Sequence, residues 1–363
     1  MAENLRAPFP YFGSKRLIAD QVWKALGNVA SYCEPFAGSL AVLLARPGGA
    51  GRIETVNDLD GFVANFWRAV KWHRDELHSL SDRLDYPVVE IDLHARHRWL
   101  VARGDDLARA LDADPDYYDL EAAAWWAWGL SAWIGSGWCS GRASTKVPHI
   151  GDSGKGVHGV SLKVPHLGHS GKGVHGVAVQ LPSISDTGAG VHSVSNQVPH
   201  LGHAGKGVHG RRVGIHDVID RLAERMRRVR VPCGDFRRCI TPAALCDRLV
   251  DGSVGVFLDP PYAAKADGKA RTMGLYGKRC DFAEAADLAT EWGRDAAAKH
   301  PRWRIVISGY EGERELDGWH VVPWDTSAGQ WNSGGYGRKA GNQAQENTSR
   351  ERLWLSPACL DPG

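Results

Sequence analysis

Residues 259 to 262, Asp-Pro-Pro-Tyr, place a carboxylate, two prolines and an aromatic ring directly after the apolar run 254–258. That run follows an Asp-Gly turn and predicts a buried strand. The tetrad is therefore expected on a loop at the carboxyl end of a sheet, where α/β folds bind ligands. The alternative is an ordinary strand-terminal turn that its prolines stiffen.

The chemistry that this tetrad suits is methylation of an exocyclic amine on a planar base. Such an amine is a poor nucleophile because its lone pair is delocalised into the ring. An enzyme must therefore accept hydrogen bonds from its N–H groups and hold the ring still. The carboxylate of Asp259 and the carbonyl of Pro260 can accept those bonds, and Tyr262 offers a stacking face.

Five motifs, in the same order along the chain, resemble those of the Dam-like family of DNA adenine-N6 methyltransferases. They are 10–15 (Pro-Tyr-Phe-Gly-Ser-Lys), 32–39 (Tyr-Cys-Glu-Pro-Phe-Ala-Gly-Ser), 57–58 (Asn-Asp), 233–236 (Cys-Gly-Asp-Phe) and the tetrad itself. A C-terminal segment, 352–357, also resembles a strand of that family. The resemblance spans both ends of the chain and leaves its middle unexplained.

The resemblance implies transfer of a methyl group from S-adenosylmethionine to N6 of a flipped adenine in double-stranded DNA, with S-adenosylhomocysteine as product. It implies catalytic roles for Asp259, Pro260 and Tyr262. The donor-binding residues that it implies are Tyr11, Lys15, Glu34, Phe36, Gly38, Asp58, Asp235, Phe236 and Asp259. Cytosine-N4, RNA or glutamine side-chain methylation remain alternatives, although Asp at position 259 favours adenine by resemblance.

The physical pattern around Gly38 agrees with a nucleotide-binding loop. Gly38 allows a tight turn before a helix-forming stretch, 40–45, and Asp58 follows it by 20 positions, the separation at which a Rossmann-type unit presents an acid to a ribose. Each residue also has a simpler interpretation. Asp58 could cap the helix that follows it, Lys15 could be a solvated lysine and Tyr11 a core aromatic residue.

The predicted fold class is α/β, with a Rossmann-like S-adenosylmethionine-dependent methyltransferase sheet and an inserted helical and Gly/His-rich repeat region. Downstream elements fit it: a helix over 282–299 capped by Asp281, and strands over 304–307 and 319–322. Residues 1–80 and 213–363 are expected to form the catalytic domain. Residues 81–212 are expected to form the DNA-recognition insert.

The insert contains four tandem copies of a 17-residue unit over residues 147–210. Val-Pro-His-Ile/Leu-Gly begins the copies at Val147, Val164 and Val198, a degenerate copy begins at Leu181, and each copy continues into Gly-x-Gly-Val-His. Such units could stack as a small β-solenoid or a row of hairpins. The alternative is an extended Gly-rich insertion without a ligand.

Positive charge is concentrated in this region. The whole chain has a formal charge of +2, whereas residues 139–212 carry eight Lys and Arg against two acids. Lys155, Lys172 and Lys206 recur at one position between glycines, and with Arg142 they are the predicted DNA contacts. The arginines at 225, 227, 228 and 230 are expected to form a solvated face that can touch DNA. Histidines spaced i, i+3 lack a full ligand set, so no metal site is predicted.

Composition indicates a cytoplasmic protein. Seven cysteines without paired CxxC spacing argue against a disulfide framework, and neither a signal peptide nor a membrane-spanning apolar run is visible. The tryptophans at 125, 126, 128, 133 and 138 are expected to pack in the core. The rival from another class is a DNA-binding repeat protein with an inactive methyltransferase fold. The intact Asp259, Tyr262, Lys15 and Asp58 argue against that rival.

Overall fold

A computed structural model describes residues 5–11, 15–72, 77–133, 138–139, 183–184, 191–192, 214–261, 282–324 and 351–361. The strands are β1 (Ser31–Glu34), β2 (Ile53–Val56), β3 (Ser183–Ile184), β4 (Val191–His192), β5 (Val254–Leu258), β6 (Arg304–Tyr310), β7 (His320–Pro323) and β8 (Glu351–Leu355). The α-helices are α1 (Ala19–Leu26), α2 (Ala41–Leu44), α3 (Gly61–Trp72), α4 (Leu77–Leu84), α5 (Glu90–Ala113), α6 (Leu120–Ala132), α7 (Ile215–Met226) and α8 (Phe282–Lys299).

Six strands of the described residues form one mixed sheet in the order β2-β1-β5-β6-β8-β7. Strands β2, β1, β5 and β6 are mutually parallel, and β8 runs antiparallel to both of its neighbours. The order reverses between β1 and β5, because the chain passes from β1 to β2 on one side and later builds β5 on the other. Open α/β sheets bind ligands outside the carboxyl ends of the strands at such a reversal.

Both faces of the central strands β5 and β6 are buried. Phe257 of β5 and Val306 of β6 belong to one buried apolar cluster, which includes residues of α1, α3 and α6. Their strand neighbours Val256 and Ile307 belong to a second cluster, which includes residues of α8. Alternate side chains of a strand point to opposite faces, so helices cover the sheet on both sides.

The predicted strand before the Asp-Pro-Pro-Tyr tetrad is confirmed, because all five residues of β5 are buried. Asp251 and Gly252 both have positive φ in the turn before it, 49° and 71°. Helix α8 has the predicted bounds, although its expected cap, Asp281, lies outside the described residues. Strand β6 extends beyond the predicted 304–307 and so includes Ser308.

The tryptophan cluster is core packing, as the sequence predicts. Trp125, Trp126, Trp128 and Trp138 are all buried, and Trp133 is partly buried against the same core. The Trp138 indole donates a hydrogen bond of 2.9 Å to the Trp126 carbonyl. Helix α6, which carries three of these residues, packs against α3, α4 and α5. The expected domain boundary at residue 80 falls inside α4.

Within the repeat array, the structure describes one pair of short strands. Ser183 of β3 pairs with His192 of β4, and Ile184 pairs with Val191, in antiparallel register. Both strands belong to the degenerate third copy. The other three copies lie outside the described residues.

After the array, the chain returns to the outer edge of β2. The Arg230 N–H donates to the Glu54 carbonyl, and the Val56 N–H donates to the Arg230 carbonyl, both at 2.9 Å. A further parallel bridge joins Asp58 and Cys233. This pairing brings the motif at 233–236 beside the motif at 57–58.

The expectation of a solvated arginine face is wrong for Arg225 and Arg230. The buried Arg225 guanidinium forms two hydrogen bonds, of 2.6 and 2.9 Å, with the Glu54 carboxylate. The Arg230 guanidinium donates to the Ala244 carbonyl at 2.7 Å. Arg225 follows Leu222 by three residues and therefore shares the buried face of α7.

None of the helices in the described part of the chain is long and apolar enough to span a membrane. Among the same residues, no group of three or more His, Cys, Asp or Glu side chains is arranged to hold a metal ion.

Candidate active site

The predicted site residues gather at the edge of the sheet where β1, β2 and β5 end. These strands are parallel, so the loops that leave them lie side by side. The loop after β1 carries Phe36 and Gly38, the loop after β2 carries Asp58, and the loop after β5 carries Asp259. Residues from the N-terminal segment and from β6 complete the group.

The Asp259 carboxylate has a partner on each oxygen. Its Oδ2 lies 2.9 Å from Lys15 Nζ, and its Oδ1 accepts a hydrogen bond of 2.5 Å from the Ser308 hydroxyl. The Lys15 side chain is only 6% exposed and its ammonium lies 5.3 Å from the centre of the Trp324 ring, so the alternative of a solvated lysine is wrong. Pro260 is buried beside Asp259, and Tyr262 lies outside the described residues.

Gly38 is fixed from three directions. Its φ is +46°, and a Cβ there would lie 2.7 Å from Cε1 of Tyr11, a residue that is itself partly buried against the core. The Asp58 carboxylate accepts a hydrogen bond of 2.9 Å from the Gly38 N–H, and the Trp67 indole donates to the Gly38 carbonyl at 3.0 Å. The 20-residue spacing between Gly38 and Asp58 therefore corresponds to a direct contact between two strand-end loops.

Asp60, rather than Asp58, caps α3. Asp60 Oδ1 accepts a hydrogen bond of 2.9 Å from the Phe62 N–H at the start of the helix. Asp58 instead supports the loop, and its Oδ1 accepts from the Asp60 N–H at 2.9 Å. Burial, together with the nearby Asp60 charge, raises the pKa of Asp58 to about 7.

Asn57 ties three loops together, a role that the sequence did not indicate. Its side-chain amide donates to the Pro35 carbonyl at 3.1 Å and to the Gly234 carbonyl at 2.9 Å. Its own carbonyl accepts from the Ala37 N–H at 2.8 Å. A polar amide directly after a buried strand was the available signal.

Two phenylalanines from separate motifs meet at this edge. The rings of Phe36 and Phe236 have centroids 4.9 Å apart and planes inclined by 35°. Asp235, the residue before Phe236, pairs with the Arg237 guanidinium, and the hydrogen bonds from Arg237 lower the pKa of Asp235. The structure thus brings together the motifs at 32–39 and 233–236.

Glu34 lies in the core beneath the loop. Its Oε2 accepts hydrogen bonds from the Tyr32 hydroxyl at 3.0 Å and from the Leu43 N–H at 3.1 Å. Burial raises the pKa of Glu34 to about 8, although these two bonds act in the opposite direction. Both hydrogen bonds are to the protein, so the expected contact of Glu34 with a donor molecule stays a prediction.

Sequence reasoning assigned no role to Ser308 or Glu351. Ser308 is fully buried on β6, and Glu351, the first residue of β8, is 9% exposed. Burial raises the pKa of Glu351 to about 7, while the Lys15 charge lowers it and the Asp259 charge raises it. A serine next to an apolar strand is only a weak signal, and Glu351 stands just outside the strand that the sequence predicts.

The predicted DNA contacts Lys155, Lys172, Lys206 and Arg142 all lie outside the described residues. Their roles therefore stay predictions.

The fold and this edge define a mixed α/β protein with a six-stranded sheet and a polar group at the carboxyl ends of its parallel strands, an arrangement consistent with a methyltransferase. Residues 11–87 match the family model of D12 class N6 adenine-specific DNA methyltransferases. The match confirms the predicted resemblance to Dam-like adenine methyltransferases, which are enzymes that act on DNA. No curated protein matches the chain.

Proposed function

We propose that this protein transfers a methyl group from S-adenosylmethionine to N6 of a flipped adenine in double-stranded DNA. The observation that carries the proposal is the ion pair between Lys15 and Asp259. Lys15 lies within the segment that matches the family model, whereas Asp259 lies far beyond it in sequence. The pair therefore joins the matched part of the chain to the Asp-Pro-Pro-Tyr tetrad.

The residues at the ends of β1 and β2 suit a nucleoside. Gly38 allows the Tyr11 ring to pack directly against the loop after β1, and the partly buried Phe36 ring, which lies on the buried Phe236, offers apolar surface for a purine. The Asp58 carboxylate accepts hydrogen bonds from the loop on both oxygens and retains acceptor capacity for a ribose hydroxyl. When bound, S-adenosylmethionine supplies a methyl group that its sulfonium already activates.

The tetrad holds the substrate amine. The Asp259 carboxylate and the Pro260 carbonyl accept hydrogen bonds from the two N–H groups of adenine N6, so the nitrogen lone pair is directed away from the ring plane. The proton that the new methyl group displaces from N6 would pass to the Asp259 carboxylate, and S-adenosylhomocysteine would leave. The Lys15 ammonium balances the negative charge of Asp259 while leaving part of the carboxylate open to the substrate. Tyr262 stacks on the extruded base, which must leave the duplex before its amine can reach Asp259.

The sheet order supports a Rossmann-like catalytic domain formed by residues 1–80 and 213–363, with the insert 81–212 on the DNA side. The described helices of the insert, α5 and α6, pack against α3. In this proposal the repeat array supplies phosphate contacts through Lys155, Lys172 and Lys206, with Arg142 before it.

The deciding experiment compares Asp259→Ala with Asp295→Ala. Wild type and Asp295→Ala are expected to methylate DNA with S-adenosylmethionine. Asp259→Ala is expected to lose activity while keeping the native fold, at a lower melting temperature because the buried Lys15 ammonium loses this carboxylate. Asp295 is an exposed residue of α8 that pairs with Arg294, so it controls for the loss of a paired carboxylate. Near wild-type methylation by Asp259→Ala would overturn the assignment.

Analysis of the product nucleosides separates the alternatives. N6-methyladenine in DNA supports the proposal, whereas N4-methylcytosine or a methylated RNA substrate would replace it with another activity. Calorimetry identifies the remaining rival: a protein that binds DNA but neither binds nor uses S-adenosylmethionine is a repeat protein with an inactive fold.

A further inference from the structure

A buried hydroxyl group faces the carboxylate at the centre of the candidate site. The Ser308 hydroxyl donates to Asp259 Oδ1 at 2.5 Å, while Lys15 Nζ contacts Oδ2 at 2.9 Å. Ser308 is fully buried and stands on β6, the strand next to β5. The pairing of β5 with β6, rather than a loop, therefore places the Ser308 hydroxyl next to Asp259.

An ion pair holds the backbone around Ser308. Arg314 Nη1 donates to the Ser308 carbonyl at 3.0 Å, and the same guanidinium pairs with the Glu313 carboxylate at 3.2 Å. The Glu313 carboxylate also accepts from the Tyr310 N–H at 2.9 Å. A Cβ at Gly309 would lie 2.6 Å from both the Arg314 and Glu313 side chains, so glycine allows this pair to lie against the strand.

We propose that Ser308 is a positioning residue for Asp259, an inference that rests on the proposed function. A carboxylate can rotate about its Cβ–Cγ bond, and contact with Lys15 on one oxygen alone leaves that rotation incompletely restrained. The hydroxyl on Oδ1 fixes the plane of the carboxylate. The remaining lone pairs of the Asp259 carboxylate are then oriented towards the substrate amine before that amine binds.

The test measures steady-state methylation of DNA by Ser308→Ala and Ser308→Thr. Loss of a hydrogen bond to a charged group corresponds to a fall in kcat of roughly 10- to 100-fold for the alanine variant. The KM values for DNA and donor are expected to change little, because Ser308 is proposed to act only through Asp259. Threonine keeps the hydroxyl and is expected to recover most of the loss. If the Ser308→Thr variant does not fold, Ser308→Cys replaces it in the test. The cysteine side chain is similar in size to serine but is a weak hydrogen-bond donor, so this variant is expected to show the same fall in kcat as Ser308→Ala.

Ser356→Ala is the matched control. Ser356 is also buried, and its hydroxyl accepts from the Ile305 N–H at 2.9 Å, near the start of β6. This change is expected to lower the melting temperature without changing kcat. Equal effects of Ser308→Ala and Ser356→Ala on kcat, or an unchanged kcat in Ser308→Ala, would overturn the inference while leaving the proposed function intact. A wild-type protein without activity would overturn the proposed function and this inference with it.

Discussion

Glu34 is a carboxyl group enclosed by the core, with the Tyr32 hydroxyl and the Leu43 N–H both donating to Oε2. Its pKa is raised by burial from 4.5 to about 8. Between these two values the folded protein keeps a proton that the unfolded chain releases. The stability that this group contributes is therefore lost as pH rises through that window. The raised pKa values of Asp58 and Glu351, both about 7, act in the same direction.

We expect the free energy of unfolding to fall as pH rises from about 5 to about 8, and Glu34→Gln to make that fall shallower. A group that holds one extra proton when folded contributes about 1.4 kcal/mol per pH unit. Urea unfolding at a series of pH values measures both slopes. Identical slopes for the variant and wild type would contradict the assignment of Glu34 as a buried, protonated acid.

Glu34→Ala is the comparison that tests its hydrogen bonds. A glutamine oxygen can accept from both Tyr32 and Leu43, whereas alanine leaves two buried donors without a partner, at roughly 1 to 3 kcal/mol each. The alanine variant should therefore be clearly less stable than the glutamine variant at a pH of about 6, where the wild-type group is protonated.

At the scale of elements, the sequence predicted the regular parts and missed the contacts between them. Strand β5 and helix α8 could be predicted from the sequence because local patterns of apolar residues define them. The contact between Lys15 and Asp259 could not be predicted from the sequence, because the two residues lie in segments that only the folded sheet brings together. Arg225 carried a signal that was overlooked: a charge on an apolar helical face implies a buried partner, here Glu54.

Asp58 and Asp60 differ by two positions yet serve different elements, and this separates donor binding from helix capping. We expect Asp58→Ala to weaken binding of S-adenosylmethionine by roughly 10- to 100-fold, because it removes a charge-assisted bond and the anchor of Gly38. Asp60→Ala should cost about 1 kcal/mol of stability through its lost cap and leave donor affinity nearly unchanged. Calorimetric titration with S-adenosylmethionine measures the donor affinity of both variants. The loop assignment is wrong if Asp60→Ala is the more damaging change, or if Asp58→Ala binds donor normally.

For the whole molecule, the distribution of charge is more informative than its sum. Residues 139–212 have six more basic than acidic residues, whereas the chain as a whole has an excess of two. Non-specific attraction of DNA scales with the phosphates that are contacted, so a local excess matters even when net charge is small. Four of those basic residues, Lys155, Lys163, Lys172 and Lys206, stand in the array itself, and the other four flank it.

Replacement of Lys155, Lys172 and Lys206 by alanine should weaken DNA binding and reduce its salt dependence. Each lost phosphate contact should lower the slope of log affinity against log salt by about 0.9. Donor binding should not change, because the five motifs lie outside the array. A control with Lys24, Arg294 and Arg302 replaced removes three exposed cations elsewhere. If both triple variants lose the same amount of affinity, the array is not a specific DNA contact.

The helices on either side of the array, α6 and α7, pack against the same two helices, α3 and α4. The segment between these two helices, which carries the array, therefore leaves and rejoins the described part of the chain at neighbouring places. Tandem units of equal length are gained or lost whole by replication slippage and unequal recombination. A change in copy number would lengthen or shorten this one insertion and leave β5 and Asp259 where they are. If the array contacts DNA as we propose, its extent is a heritable variable that can change over generations independently of the chemistry.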